Sequence, residues 1–111
     1  MRSDRERLQD ILEAIAQIER YSLGGQEAFQ QDELIQVWIV HHLQIIGEAS
    51  NRLSEALLVQ YPAVPWAAVV EFRNILVHEY FRVNLEIVWR IVERDLPNFK
   101  ADVAAIVQEW V

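Results

Sequence analysis

Apolar residues return every three or four positions along almost the whole of this chain, and no segment alternates apolar with polar. A period near 3.6 places side chains on one face of a helix, whereas a strand needs a period of two. The pattern therefore confines the chain to an all-α fold. Leu8, Ile11, Leu12, Ile15 and Ile18 lie at helical spacing with charged residues between them, which predicts a helix over residues 4–22. Ser3 followed by Glu6 makes a capping box at its start, and Gly24-Gly25 ends it. Gln26 to Gln31 reads as a short turn leading to Asp32, a second N-cap. Leu34, Ile35, Trp38, Ile39, His42, Ile45, Ile46, Ala49, Leu53 and Leu57 then form a long stripe, predicting a helix that runs to Val59.

Tyr61-Pro62-Ala63-Val64-Pro65-Trp66 is the clearest break. A proline disfavours helix in the residue before it, and Pro65 suits a first helical position. A third helix is expected over 65–80. Val83-Asn84 reads as a turn and cap before a fourth helix from Leu85, which Pro97 kinks or restarts. Together these give one domain over residues 1–111, an antiparallel bundle of four to five helices.

The chain is long enough for one domain with a real core. Its apolar share, 52%, exceeds what such a core consumes and points to a partner surface, hence to an oligomer. The absence of cysteine excludes disulfides, thiolate chemistry and cysteine-ligated zinc. The charged start does not read as a signal peptide. The longest apolar stretch, Leu34 to Gly47, is short for a membrane span and carries Gln36, His41, His42 and Gln44. A soluble cytoplasmic protein is the expectation. A net charge of −7 argues against broad electrostatic binding of nucleic acid and leaves room only for a local basic site.

That local site is Arg73-Asn74-Ile75-Leu76-Val77-His78-Glu79-Tyr80. A cation, a side chain that titrates near neutrality and a phenol are collected there in otherwise apolar sequence. An arginine can hold a phosphate, and a histidine can move a proton beside it. On an ideal helix Arg73 and Tyr80 share nearly one face, while His78 lies roughly 140° around from Arg73. Either the helix unwinds near His78, or a second copy of the chain completes the site. On spacing alone, a surface arginine and a half-buried histidine remain the commoner outcome.

Other polar residues carry weaker signals. Adjacent helical residues such as His41 and His42 point about 100° apart and make no metal pair, and no HxxxH, HExxH or ExxH spacing occurs. No metal or cofactor is expected. Gly47-Glu48-Ala49-Ser50 is a run of mostly small residues inside a long helix, as close approach of another helix requires. Glu48 could accept from an arginine or histidine on that neighbour, or could be simply solvated. Phosphate loops, dinucleotide turns and nucleophile elbows are all missing.

Taken together, Tyr61-Pro-Ala-Val-Pro-Trp66, Phe72-Arg-Asn-Ile-Leu-Val-His-Glu-Tyr-Phe81, Leu85-Glu-Ile-Val-Trp89 and Asp95-Leu-Pro97 resemble the HepT-type toxins of the HEPN superfamily. Ile45-Ile-Gly-Glu-Ala49 and Arg7-Leu-Gln-Asp-Ile-Leu-Glu-Ala-Ile15 extend the resemblance over nearly the whole chain. It implies a small all-helical homodimer and a metal-independent endoribonuclease. The family's catalytic arginine and histidine fall on Arg73 and His78, its polar residue after the arginine on Asn74, and its AMP-accepting tyrosine on Tyr80. Glu48 is expected in support. The resemblance also implies a partner, an MntA-like nucleotidyltransferase antitoxin that transfers AMP from ATP to Tyr80 and silences the toxin. Arg82-Val83-Asn84 departs from the glycine and aspartate common there, touching the turn and not the chemistry. A non-catalytic helical module that binds nucleotide or protein and is associated with a nucleotidyltransferase is the alternative.

Overall fold

A computed structural model describes residues 2–78 and 84–110. Four long helical runs dominate them, with two short helices between: α1 (Asp4–Tyr21), α2 (Gly25–Gln31), α3 (Glu33–Asn51), α4 (Glu55–Gln60), α5 (Trp66–His78), and a last run made of α6 (Leu85–Arg90), a π-helical turn (Ile91–Asp95) and α7 (Leu96–Glu109). The described residues contain no strand, so the all-α bundle expected from the periodicity is what the chain adopts.

Each boundary has a local cause. Ser3 Oγ accepts from the Glu6 amide, and the Glu6 carboxylate accepts from the Ser3 amide. This reciprocal pair satisfies donors that a helix start leaves orphaned. Asp32 accepts from the Leu34 and Ile35 amides at the start of α3, and Asn84 from those of Glu86 and Ile87 at the start of α6. Residues 26–31, expected as a turn, form α2 instead. Gly25, at φ 80°, supplies the left-handed residue after α1, and Phe29 gives the short helix its buried anchor.

The helix expected to reach Val59 stops at Asn51. Arg52 leaves helical geometry, and Ser54 starts α4 by accepting from the Leu57 amide. Ser54 also donates its amide to Asp4, 2.9 Å away at the start of α1. At the far end of the pair, the Trp38 indole N–H donates to the Gln17 carbonyl. These two links fix α1 and α3 as antiparallel neighbours.

Pro97 restarts the last run without breaking it. It has no N–H to give the Glu93 carbonyl, and its ring would crowd that oxygen in a regular α-helix. The chain widens to a π turn just before it, closed by the Leu96 amide on the Ile91 carbonyl.

The core lies between α1, α3 and the last run, centred on Leu8, Ile11, Ile15, Ile18, Ile39 and Val103. Trp66 packs edge-on against Phe99, and Phe29 lies against Trp89. Lys100 reaches Glu19 across the α1–α7 surface. α5 is less enclosed, since only Trp66 and Leu76 of its residues are buried. Among the described residues, no helix is long and apolar enough to cross a membrane.

Candidate active site

The site is set by the approach of α5 to α3. Gly47 is the contact point: a Cβ there would overlap Arg73 Cβ, lie 2.6 Å from its Cγ and 3.4 Å from its Cα. Glycine inside a helix costs about 1 kcal/mol relative to alanine. Here it lets the backbone of α3 meet the base of the Arg73 side chain, which delivers the guanidinium to the surface of α3.

Glu48, the next residue, receives it. Arg73 Nη2 lies 2.5 Å from Glu48 Oε2, and Arg73 Nη1 donates to Asn74 Oδ1 at 3.0 Å. The second Glu48 oxygen accepts from Arg52 Nε at 2.8 Å. One carboxylate thus holds two guanidinium groups, and Arg73 is restrained from two sides. The hydrogen bond from Arg52 and the charge of Arg73 together hold the Glu48 carboxyl below the usual carboxylate range, against the opposing effect of partial burial. Arg73 remains 26% exposed, so part of its donor fork is free to meet an anion.

Arg73 and Glu48 line a groove of about 740 Å³ between α1, α3 and α5, within the size range of small-ligand sites. Arg7, Gln17, His41 and Val77 are also on its wall. Arg52 was not singled out in the sequence, although Glu48-x3-Arg52 is the i, i+4 spacing at which helical ion pairs form. Arg7 left no such signal.

Arg73, Asn74 and Glu48 are therefore brought together. His78 is not among them. It is the exposed last residue of α5, on a helix that stays regular through it, and it does not line the groove that Arg73 enters. Of the two routes to a joint site, unwinding of α5 is not seen up to His78. Asn74 also borders a separate depression beside Pro62 and Trp66. Tyr80 lies outside the described residues.

His42 is buried, with Nδ1 2.8 Å from the Trp38 carbonyl oxygen. A carbonyl only accepts, so Nδ1 carries the proton. His41 is exposed and meets His42 edge-on. Among the described residues, no group of three His, Cys, Asp or Glu side chains is placed to hold a metal ion.

Comparison with known proteins identifies the family. The family described as ribonuclease HepT-like matches residues 11–106. A protein of Thermococcus cleftensis named "Probable ribonuclease HepT" is 35% identical over 100 residues, covering 89% of this chain and 91% of its own. A "Putative RNase" of Caldanaerobacter subterraneus is 34% identical over 110 residues, 98% of each chain. Another of that name, from Methanocaldococcus jannaschii, is 33% identical over 100 residues, 89% of this chain and 92% of its own. No solved structure matches the chain.

Proposed function

This chain belongs to the HepT-like ribonuclease family, and we propose that it is a toxin that cuts RNA without a metal, through Arg73 and His78 of two copies paired about a two-fold axis. The observation that carries this reading is the restrained Arg73 guanidinium, held by Glu48 and Asn74 at a groove while His78 stands on another face of α5. One copy offers a phosphate ligand without the motif histidine beside it. A second copy supplies a histidine, and the pair supplies two, enough for separate base and acid. The exposed apolar residues Ile75 and Val77 beside His78 support such a pairing.

The chemistry uses the substrate's own nucleophile. One imidazole takes the proton of the 2′-hydroxyl as that oxygen attacks phosphorus. The bond from phosphorus to the 5′-oxygen breaks, and the second imidazole gives that leaving oxygen a proton. An imidazole with a reference pKa of about 6.5 serves in either role near neutral pH. Arg73 neutralises charge gathering on the non-bridging oxygens. The products are a 2′,3′-cyclic phosphate and a 5′-hydroxyl.

Regulation falls on Tyr80 in this reading. A nucleotidyltransferase antitoxin joins the tyrosine oxygen to the α-phosphorus of ATP, releasing pyrophosphate. The added adenylate brings a negative phosphate into a site built to hold one, and fills it.

The test is RNA cleavage in EDTA by wild type and His78→Ala, with end-group analysis and intact mass. Wild type is expected to cut, leaving cyclic phosphate ends, and His78→Ala to be inactive. A 3′-hydroxyl product or a requirement for Mg²⁺ would overturn the mechanism. An unmodified wild type that does not cut would favour the non-catalytic binding module. Tyr80→Phe is expected to escape adenylation by antitoxin and ATP; continued adenylate incorporation would remove Tyr80 as the acceptor.

A further inference from the structure

The groove beside Arg73 is longer than one phosphate requires. Asp4 meets Ser54 and Gln17 meets Trp38, so pairs across the α1–α3 seam sum to between 55 and 58. Arg7 is therefore level with about residues 48–51 of α3, at the Arg73 end. Trp38 lies ten residues before Glu48, roughly 15 Å along the helix at 1.5 Å per residue. The length between suits a few nucleotides of single strand.

The two ends differ in chemistry. Toward the Arg73 end, Arg2, Arg7, Arg52 and Arg73 meet Asp10 and Glu48, with Glu13 further along toward His42, four cations against three carboxylates in a chain of net charge −7. Asp10 is already engaged by Arg2, and Glu48 by Arg52 and Arg73. Arg7 is half-buried in this wall, with no ion pair among the described residues. The other arginines without an ion pair among the described residues, Arg5, Arg20, Arg90 and Arg94, are exposed and do not line the groove.

At the far end is a row of rings. Trp38 is 4.4 Å from His42 and 5.0 Å from Tyr21, measured between ring centroids, and its indole N–H is tied to Gln17. His42 and Gln17 both line the groove, and Trp38, which contacts both, lies next to that wall. Trp38 and Tyr21 are 36% and 40% exposed, a large share for rings of this size. A cation and a phosphate recognise each other at one end, and a base can stack on a ring at the other. This combination is how proteins hold single-stranded nucleic acid with little regard to sequence.

We propose that the α1–α3 groove is the track for the single-stranded RNA flanking the cleaved bond, with Arg7 on a neighbouring phosphate and Trp38 stacking on a base. The inference rests on the reading of Arg73 as the ligand of the cleaved phosphate. It also explains how so acidic a protein holds RNA: the contacts are few, local and partly uncharged.

The probe is a short fluorescent 2′-O-methyl RNA, which lacks the nucleophile, titrated into the intact protein at several salt concentrations. Trp38→Leu is expected to weaken binding about tenfold without changing the salt dependence, and Trp38→Phe to retain most of it. Arg7→Gln is expected to reduce the slope of log affinity against log salt by about 0.7, one phosphate contact. With an abasic probe, Trp38→Leu should lose nothing further. The inference is overturned if both variants bind as wild type does while wild type cuts RNA in EDTA. It also fails if Trp38→Leu loses as much on the abasic probe, or changes the assembly state, which would assign the rings to a protein interface. A wild type that neither binds nor cuts RNA removes this inference and the nuclease reading together.

Discussion

α3 has two working faces, and they are built differently. Toward α1 it presents Ile39, Leu43 and Ile46 to Leu8, Ile11, Ile15 and Ile18, a seam of buried aliphatic side chains. Toward α5 it presents Gly47 and Glu48 to Arg73, a close backbone approach and an ion pair that stays partly wet. The first face excludes water and supplies stability. The second contributes little to stability but aims a guanidinium. The same helix thus carries the fold on one side and the chemistry on the other, and substitutions on the two sides should separate stability from activity.

The largest effect belongs to the seam. Ile15→Ala removes a fully enclosed side chain and should cost about 2–5 kcal/mol of stability, read by urea unfolding. Activity per folded molecule should stay near wild type. A comparable loss of specific activity would mean that the two faces are coupled.

Arg73→Ala should do the reverse. Loss of one charge-stabilising group at a reacting phosphate commonly lowers rate by about 10²–10³. The pair it breaks is partly exposed, so stability should change by less than about 1 kcal/mol. Unfolding and cleavage measured on the same preparation check both halves. An Arg73→Ala protein that cuts at the wild-type rate would take Arg73 out of the chemistry.

The seam was legible in the sequence and the second face only partly so. Apolar spacing reports burial, so Leu8 to Ile18 and most of the α3 stripe could be placed without coordinates, although Leu34 and Trp38 of that stripe are exposed. The stop at Asn51 was missed because Leu53 and Leu57 continue the apolar spacing. A helix, a turn and a second helix that all bury one side leave nearly the same pattern. α2 was missed because Gly24-Gly25 reads as a loop and only one large apolar residue, Phe29, follows before Asp32. At the second face, Gly47 announced a close neighbour but not its identity. That Arg73 sits there depends on how α5 packs against α3, which no local pattern encodes. His78 was the reverse case: its offset of about 140° from Arg73 followed from helical geometry, and the observed helix keeps it.

Gly47→Ala tests the close approach itself. Alanine favours helix by about 1 kcal/mol over glycine, so without a neighbour the variant would be more stable. With Arg73 in contact, the new methyl forces α5 outward, and a net loss of about 1–3 kcal/mol is expected. Specific activity should fall as well, because Arg73 moves with α5. A stabilised and active Gly47→Ala protein would show that the helices do not meet there.

The smallest effect is also the most selective. Glu48 is held below the usual carboxylate range by Arg52 and Arg73. A carboxyl whose native pKa is depressed adds stability that is complete above its unfolded value, about 4.3, and that disappears as pH falls through the native value. Glu48→Gln lacks this contribution at every pH. The difference in unfolding free energy between wild type and Glu48→Gln should therefore favour wild type near pH 7 and shrink toward zero in acid. It should stay below about 1 kcal/mol, since both pairs are substantially exposed. Activity should fall by more than that figure suggests, because the amide no longer holds Arg73 by charge. A stability difference that grows on acidification would contradict the assignment of Glu48 as an ionised partner. Unchanged activity would mean that Asn74 and the packing at Gly47 suffice to aim Arg73.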